Sequence, residues 1–251
     1  MSIGKVSLTP PCKIYPSPED LAVHLAEELK RLSNSLTTYE DKISIALSGG
    51  STPKILFQLL AQPLYRDKIK WKKLHLFWGD ERCVPPDHPE SNYGMTRENL
   101  LQHIEIPESN IHRIRGEITP DEAAKAYSKV IRENVPPERD EIPRFDWVLL
   151  GVGEDGHTAS LFPGSEVLRI KDKICAVAIH PVSGQKRITL TLPVINHAKK
   201  VTFLVAGESK RKVVSEILHQ SEGFNKYPAA HVNPVQGELL WLLDKAACKI
   251  S

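Results

Sequence analysis

The chain's 251 residues carry 33 Lys and Arg against 31 Asp and Glu, a net charge of +2 with histidine neutral. A 41% hydrophobic share with 25% charged residues suits a soluble globular protein with a full core, and the near balance of charge argues against a polyanion binder, which needs a clustered basic surplus. The four cysteines, Cys12, Cys83, Cys175 and Cys248, form no C-x-x-C pair, which excludes a zinc site by spacing and, with the length, a small disulfide scaffold.

Scattered thiols read as reduced ones in a reducing compartment. The opening "MSIGKVSLTPPCKIYP" lacks the apolar h-region of a signal peptide, and no apolar run approaches the ~20 residues needed to cross a bilayer. The expectation is a cytoplasmic protein that binds neither nucleic acid nor membrane.

In chain order, the first element is a helix in "SPEDLAVHLAEELKRL", with Ser17 as N-cap, Pro18 at the first helical position and Leu21, Leu25, Leu29 and Leu32 on one face. "KISIALS" (42–48) reads as a strand running into Ser48-Gly49-Gly50-Ser51-Thr52, after which Pro53 opens a second helix with Ile55, Leu56, Leu59 and Leu60. "KLHLFWG" (73–79) is another strand, ending at Asp80-Glu81-Arg82. "TPDEAAKAYSKVIRENV" repeats the capped helix start with Thr119, Pro120 and Glu122. The Pro-rich "VPPERDEIP" (135–143) is a surface connection and not a domain boundary. "DWVLLGVG" (146–153), "KICAVAI" (173–179) and "KVTFLVAG" (200–207) read as three more strands, and "SKRKVVSEILHQ" (209–220) as a helix with Val213, Val214, Ile217 and Leu218 on its apolar stripe. Several strands are apolar at nearly every residue, as strands buried on both faces of a parallel sheet must be. The alternation predicts one α/β domain over 1–251, with a mostly parallel sheet between two layers of helices.

Ligands of such sheets bind outside the carboxyl ends of the strands, so four loops carry the candidate chemistry. In the first, Gly49 and Gly50 let the backbone approach a ligand, the helix start adds partial positive charge, and Ser51 and Thr52 offer hydroxyls. That is a phosphate cradle without a Walker lysine; the competing reading is a plain turn with Thr52 capping the helix. In the second, Asp80 and Arg82 are either solvated or turned into a site. The third, "LLGVGEDGHTASLFPG", holds a G-x-G-x-x-G at Gly151, Gly153 and Gly156. A dinucleotide loop needs a long helix after the third glycine and an acidic residue about 20 positions on. Pro163-Gly164 stops any helix early, position 171 is a lysine, and Glu154 and Asp155 would meet the pyrophosphate, so the nucleotide reading fails. The loop offers Asp155 and His157 instead: a base near neutral pH with a carboxylate to orient it, or else a histidine that merely caps a short helix. In the fourth, Lys210 falls in the first turn of a helix, where a cation makes sense beside a bound anion. Arg187, opening "RITLTLPVI", is either a second such cation or an ordinary surface arginine. No metal-ligand spacing is present. Together the loops describe acid–base chemistry on a small phosphorylated molecule.

In this order, "SGGSTPKILFQLLAQ", "FWGDERCVPPDHPESNYGM", "LLGVGEDGHTASLFPG" and "RITLTLPVINHAKKVTFLVAGESK" resemble the 6-phosphogluconolactonases over nearly the whole chain. That resemblance implies a three-layer α/β/α sandwich shared with glucosamine-6-phosphate deaminases, and cofactor-free hydrolysis of 6-phospho-D-glucono-1,5-lactone to 6-phosphogluconate, the second step of the oxidative pentose phosphate pathway. It implies that His157 activates water, with Asp155 in support and Asp80 and Arg82 facing the sugar and the reacting centre. Gly49, Gly50, Ser51 and Thr52 would cradle the phosphate, Arg187 and Lys210 would neutralise it, and Asn92 in "ESNYGM" would touch the sugar. The deaminases carry a glutamate where Phe162 stands and a tyrosine where Arg82 stands, so both positions favour the lactonase over them. A non-catalytic sugar-phosphate sensor would have no need of Asp80, Asp155 and His157 together. Nothing in the sequence signals more than a monomer or a weak homo-oligomer.

Overall fold

Strands apolar at every position are stable only where both sheet faces are covered, and four of the five predicted runs meet that condition. In a computed structural model, which describes residues 10–38, 41–138 and 141–248, they become β2 (Ile43–Leu47), β3 (Leu74–Trp78), β5 (Trp147–Leu150) and β8 (Lys200–Val205). β2, β3 and β5 are buried along their whole length, as is β8 after its first residue. Two strands from the chain ends, β1 (Cys12–Tyr15) and β9 (Glu238–Asp244), complete a six-stranded sheet in the order β1-β9-β8-β5-β2-β3, with every pairing parallel. The opening stretch 1–9, and residues 139–140 of the Pro-rich connection, lie outside the described residues.

The helices form where their sequence signals place them. α1 (Pro18–Ser35) starts at Ser17, whose hydroxyl oxygen accepts the Asp20 N–H at 3.1 Å, and buries Leu21, Ala22, Leu25, Ala26 and Leu29. It packs against α2 (Ser51–Leu60), which is followed by the short α3 (Pro63–Arg66). α4 (Asn92–Asn99) follows the second candidate loop. α5 (Pro120–Asn134) buries Tyr127, whose hydroxyl donates to the Trp78 carbonyl at 2.9 Å and accepts the Trp78 N–H at 2.8 Å, fastening the helix to the end of β3. Thr119 precedes α5 without capping its backbone; its hydroxyl donates to the Glu122 carboxylate at 2.6 Å instead. α6 (Leu192–His197) and α7 (Arg211–Leu218) complete the helices. No helix among the described residues is long and apolar enough to cross a membrane.

Three local expectations need correction. "KICAVAI" becomes β6 (Cys175–Ile179), which lies outside the parallel sheet. It pairs antiparallel with β7 (Lys186–Leu190), and β7 pairs antiparallel with β4 (Asp80–Arg82), giving a separate three-stranded sheet. A short apolar run does not by itself say which sheet it joins, and Ile179, 58% exposed, shows that β6 is not covered along its length. α2 begins at Ser51, not at Pro53, and its N-cap is Gly50 at φ 108° with no side-chain cap, so Thr52 caps nothing. The loop after β5 forms no helix, because Gly156 at φ 79° and a bridge between Thr158 and Leu161 turn the chain back on itself. His157 is therefore not a helix cap.

Candidate active site

In the strand order, β2 leads outward to β3 on one side, while β5, β8 and β9 lie on the other. The carboxyl ends of β2 and β5 therefore flank the point where the winding of the sheet reverses, where open α/β sheets leave a crevice. A cavity of about 230 Å³ opens there, lined by the loops after β2, β5 and β8 and by β4 and β7. Ten of the eleven predicted residues line it: Gly49, Gly50, Ser51, Thr52, Asp80, Arg82, Asn92, His157, Arg187 and Lys210. Asp155 is not in the lining; it holds the His157 ring from behind.

His157 is placed by glycines. A Cβ on Gly153 would lie 2.1 Å from His157 Nδ1, so only glycine leaves room for the ring. Gly156 sits at φ 79° with its Cα against the ring of Tyr227, where a Cβ would lie 2.2 Å from Cδ1. Two members of the G-x-G-x-x-G pattern thus serve close packing and a left-handed turn around a histidine. The ring's Nδ1 lies 2.6 Å from Asp155 Oδ1, which also accepts the His157 backbone N–H at 3.2 Å. An ionised carboxylate only accepts, so Nδ1 carries a proton, which makes Nε2 the nitrogen that can act as a base. Burial pushes the Asp155 carboxyl up, but the facing His157 charge and its hydrogen bonds outweigh burial and hold it below its ordinary value. Phe162, fully buried, stacks at a tilt against His157 with centroids 4.9 Å apart and lies under the Arg187 guanidinium at 5.5 Å.

The cationic groups come from two directions. Arg82 and Arg187 are direct partners across the β4–β7 pair, so strand register alone brings them together. Burial, with Arg82 next, holds Arg187 below the usual arginine range. Arg82 donates Nη1 to the Glu90 carbonyl, while its Nε is buried without a partner. Lys210 stands at the residue before α7, after a 3-10 turn over Glu208–Lys210, and not inside the helix as the sequence pattern suggests. Gly207 opens that turn at φ 96°, and its N–H is held by the buried Asp244 carboxylate at 3.1 Å. Lys210 Nζ lies 3.8 Å from the exposed Glu154. Opposite, α2 points its uncapped N-terminus at the cavity, so the Gly49–Thr52 backbone and this helix end favour an anion.

Behind the cavity lies a buried polar network that the sequence does not announce. Asp80, 6% exposed, accepts the Ser160 hydroxyl at 2.7 Å. Asn92, the expected sugar contact, lines the cavity but commits its Nδ2 to the Asp80 main-chain oxygen at 2.9 Å. Its Oδ1 lies so near Gly49 that a Cβ there would come within 1.9 Å. Glu81 is buried and forms no ion pair among the described residues, and its carboxylate holds the start of α4; burial pushes it up against the pull of three backbone N–H groups. Ser160, Glu81 and Phe162 carry no spacing signal, and only the fold places them here. Among the described residues, no cluster of three or more His, Cys, Asp or Glu could hold a metal ion.

The family described as glucosamine-6-phosphate isomerases/6-phosphogluconolactonase matches residues 16–241. A 6-phosphogluconolactonase of Haemophilus influenzae is 46% identical over 208 residues, covering 83% of this chain and 87% of the relative. A solved structure described as the devB protein superposes with a TM-score of 0.88 at 42% identity, covering 94% of this chain and 97% of the other. The 6-phosphogluconolactonase of Trypanosoma brucei superposes with a TM-score of 0.82 at 32% identity, covering 95% and 97%.

Proposed function

Since the chain belongs to the glucosamine-6-phosphate isomerase/6-phosphogluconolactonase family, we propose that its cavity hydrolyses 6-phospho-D-glucono-1,5-lactone to 6-phosphogluconate, with His157 as the base. The observation that carries this reading is the His157–Asp155 pair at 2.6 Å, set on the same cavity as an uncapped helix start and Lys210. The phosphate lies in the Gly49–Thr52 loop, met by Lys210 and Arg187, and so sets the distance from the sugar's far end to its lactone carbon. Lys210 exchanges its long contact with Glu154 for the phosphate.

His157 Nε2 takes a proton from a water as its oxygen bonds to C1, and the carbonyl π electrons move onto the carbonyl oxygen. Arg82, which lines the cavity beside Asp80 and Arg187, stabilises that oxyanion. When the carbonyl reforms, the C1–O bond of the ring breaks, and the departing ring oxygen takes the proton from His157. Asp155 keeps the imidazole in the right tautomer and steadies the imidazolium between these transfers. Asp80, fixed by Ser160, faces the sugar. A positioned base contributes about 10²–10⁴-fold and an oxyanion donor about 10²–10³-fold, sufficient for an ester already activated by its ring. The enzyme works as a single cytoplasmic domain, monomeric or weakly self-associating, with no cofactor.

The test is acid release from the lactone generated in situ, followed by pH-stat or coupled dehydrogenase with spontaneous hydrolysis subtracted. Wild type accelerates the reaction, and His157→Ala loses at least about 10²-fold. A wild-type rate equal to background, with sugar phosphate still bound, would replace the enzyme by a sensor.

A further inference from the structure

Glu81 lies between two predicted site residues yet does not line the cavity. Alternation along β4 explains the separation: Asp80 and Arg82 face the substrate side, and the residue between them faces the opposite way. There its carboxylate, 2% exposed, receives four donors. Oε1 accepts Arg82 N–H and Asn92 N–H, both at 2.8 Å; Oε2 accepts Tyr93 N–H at 2.8 Å and the Ser91 hydroxyl at 3.0 Å. No ion pair to it exists among the described residues. A buried carboxylate held by no ion pair is an expensive way to start one helix, and Ser91 already caps that helix by accepting Gly94 N–H at 2.9 Å. What the carboxylate adds is a closed circuit. It fixes the first turn of α4, that turn carries Asn92, and Asn92 returns to the Asp80 main chain at 2.9 Å, with Asp80 Oδ1 at 3.5 Å.

We propose that Glu81 is a positioning residue of the lactone-hydrolysing site, a claim that rests on the proposed function: through Asn92 and its own strand it sets where Asp80 and Arg82 meet the reacting end of the substrate. It touches no substrate atom itself. Lys210 and the start of α2 stand on other elements, and only Gly49, packed on Asn92, and Arg187, paired with Arg82, link the anchor to this circuit, so Glu81 acts more on turnover than on the anchoring of the phosphate.

The experiment replaces Glu81 by Gln in the full chain. The amide brings an NH2 group against donors, so one of the two pairs of bonds is lost. Turnover falls on the order of 10²-fold, as a displacement of about 1 Å at a reacting centre does. KM for the lactone and inhibition by inorganic phosphate each move by a few-fold at most, far less than turnover, because Lys210 and the helix start stand on other elements. Should the Gln variant fold poorly, Glu81→Asp, whose shorter arm cannot reach both N–H pairs, shows the same split. A variant with wild-type kcat, or with kcat and KM worsened alike, overturns the proposal. An inactive wild type sinks the functional reading alone. The crystal structure of Glu81→Gln then decides the positioning claim: a shifted Asn92 and Asp80 support it, and unmoved side chains refute it.

Discussion

Two histidines away from the cavity make the fold sensitive to mild acid. His75 on β3 is 7% exposed, and its Nδ1 lies 3.0 Å from Nε2 of the half-buried His112, so one ring donates and the other accepts, and charging both rings would leave two donors facing each other. His112 also stacks on Phe77 with centroids 4.4 Å apart. Burial first, then His75 and Lys42, push His112 from 6.5 down to about 4. The unfolded chain therefore takes up this proton before the native state does. The stabilisation is whole above about pH 6.5 and is lost as pH falls toward 4, and the full gap corresponds to about 3 kcal/mol. At pH 5 about 2 kcal/mol of it has gone by linkage. Because the ring is half open to water, screening reduces that to about 1 kcal/mol. His112→Gln keeps a hydrogen-bonding group beside His75 and removes the titration. Thermal unfolding at pH 7.5 and pH 5 should show wild type losing about 2–4 °C more than the variant, the shift for about 1 kcal/mol in a domain this large. Equal losses in the two proteins would refute the reasoning, since the carboxylates they share titrate alike in both.

Three further outcomes follow from the site. Asp155→Asn removes the charge that steadies the imidazolium and lets an amide N–H face Nδ1, favouring the wrong tautomer, and kcat falls on the order of 10²-fold or more with KM little changed; an unchanged kcat removes Asp155 from the mechanism. Gly49→Ala puts a Cβ 1.9 Å from the buried Asn92 Oδ1, which breaks the Asn92–Asp80 bond and costs about 1–3 kcal/mol of stability; a variant with the melting temperature and kcat of wild type contradicts that packing. Lys210→Met raises KM for the lactone on the order of tenfold, about 1.4 kcal/mol, with kcat less affected, and a loss confined to kcat would move Lys210 from the phosphate to the reacting centre.

The strand-end loops were legible because each joins a fully apolar run to glycines and a new helix start, a change of pattern that marks the carboxyl edge of a parallel sheet. The same reasoning disposed of the G-x-G-x-x-G as a nucleotide loop, although the spatial work of Gly153 and Gly156, making room for His157 and Tyr227, needed coordinates. β4 escaped notice because it is three residues long and wholly charged, which is no strand signature; its pairing with β7 comes from tertiary context. For that reason the residues around Arg187 leave it either a site cation or a surface arginine, and the resemblance alone assigns it to the phosphate; its register with Arg82 comes from the fold. Glu81 and Ser160 were opaque for a related reason: a carboxylate that accepts only backbone and hydroxyl donors has no spacing rule, and its partners lie 10 to 12 residues away or on another element.

Gly79 has a consequence of its own. Its N–H donates to Leu47 O in the large sheet and its carbonyl accepts Leu190 N–H from the small one, both at 2.8 Å. One residue therefore joins a frame that holds the anion and the base to a frame that holds Asp80 and both arginines. The division is only partly modular: Gly49–Thr52, Lys210 and His157 belong to the large-sheet frame, whereas Arg187, the second phosphate cation, stands on β7 with the reacting-end residues, so the β6–β7 hairpin bears on both the carbonyl chemistry and the grip on a phosphorylated tail. An insertion at Gly79 would instead turn β4 over, exchange the faces of Asp80 and Glu81, and forfeit both in a single step. The two backbone bonds of Gly79 therefore tie this junction to its length more than to its side chains.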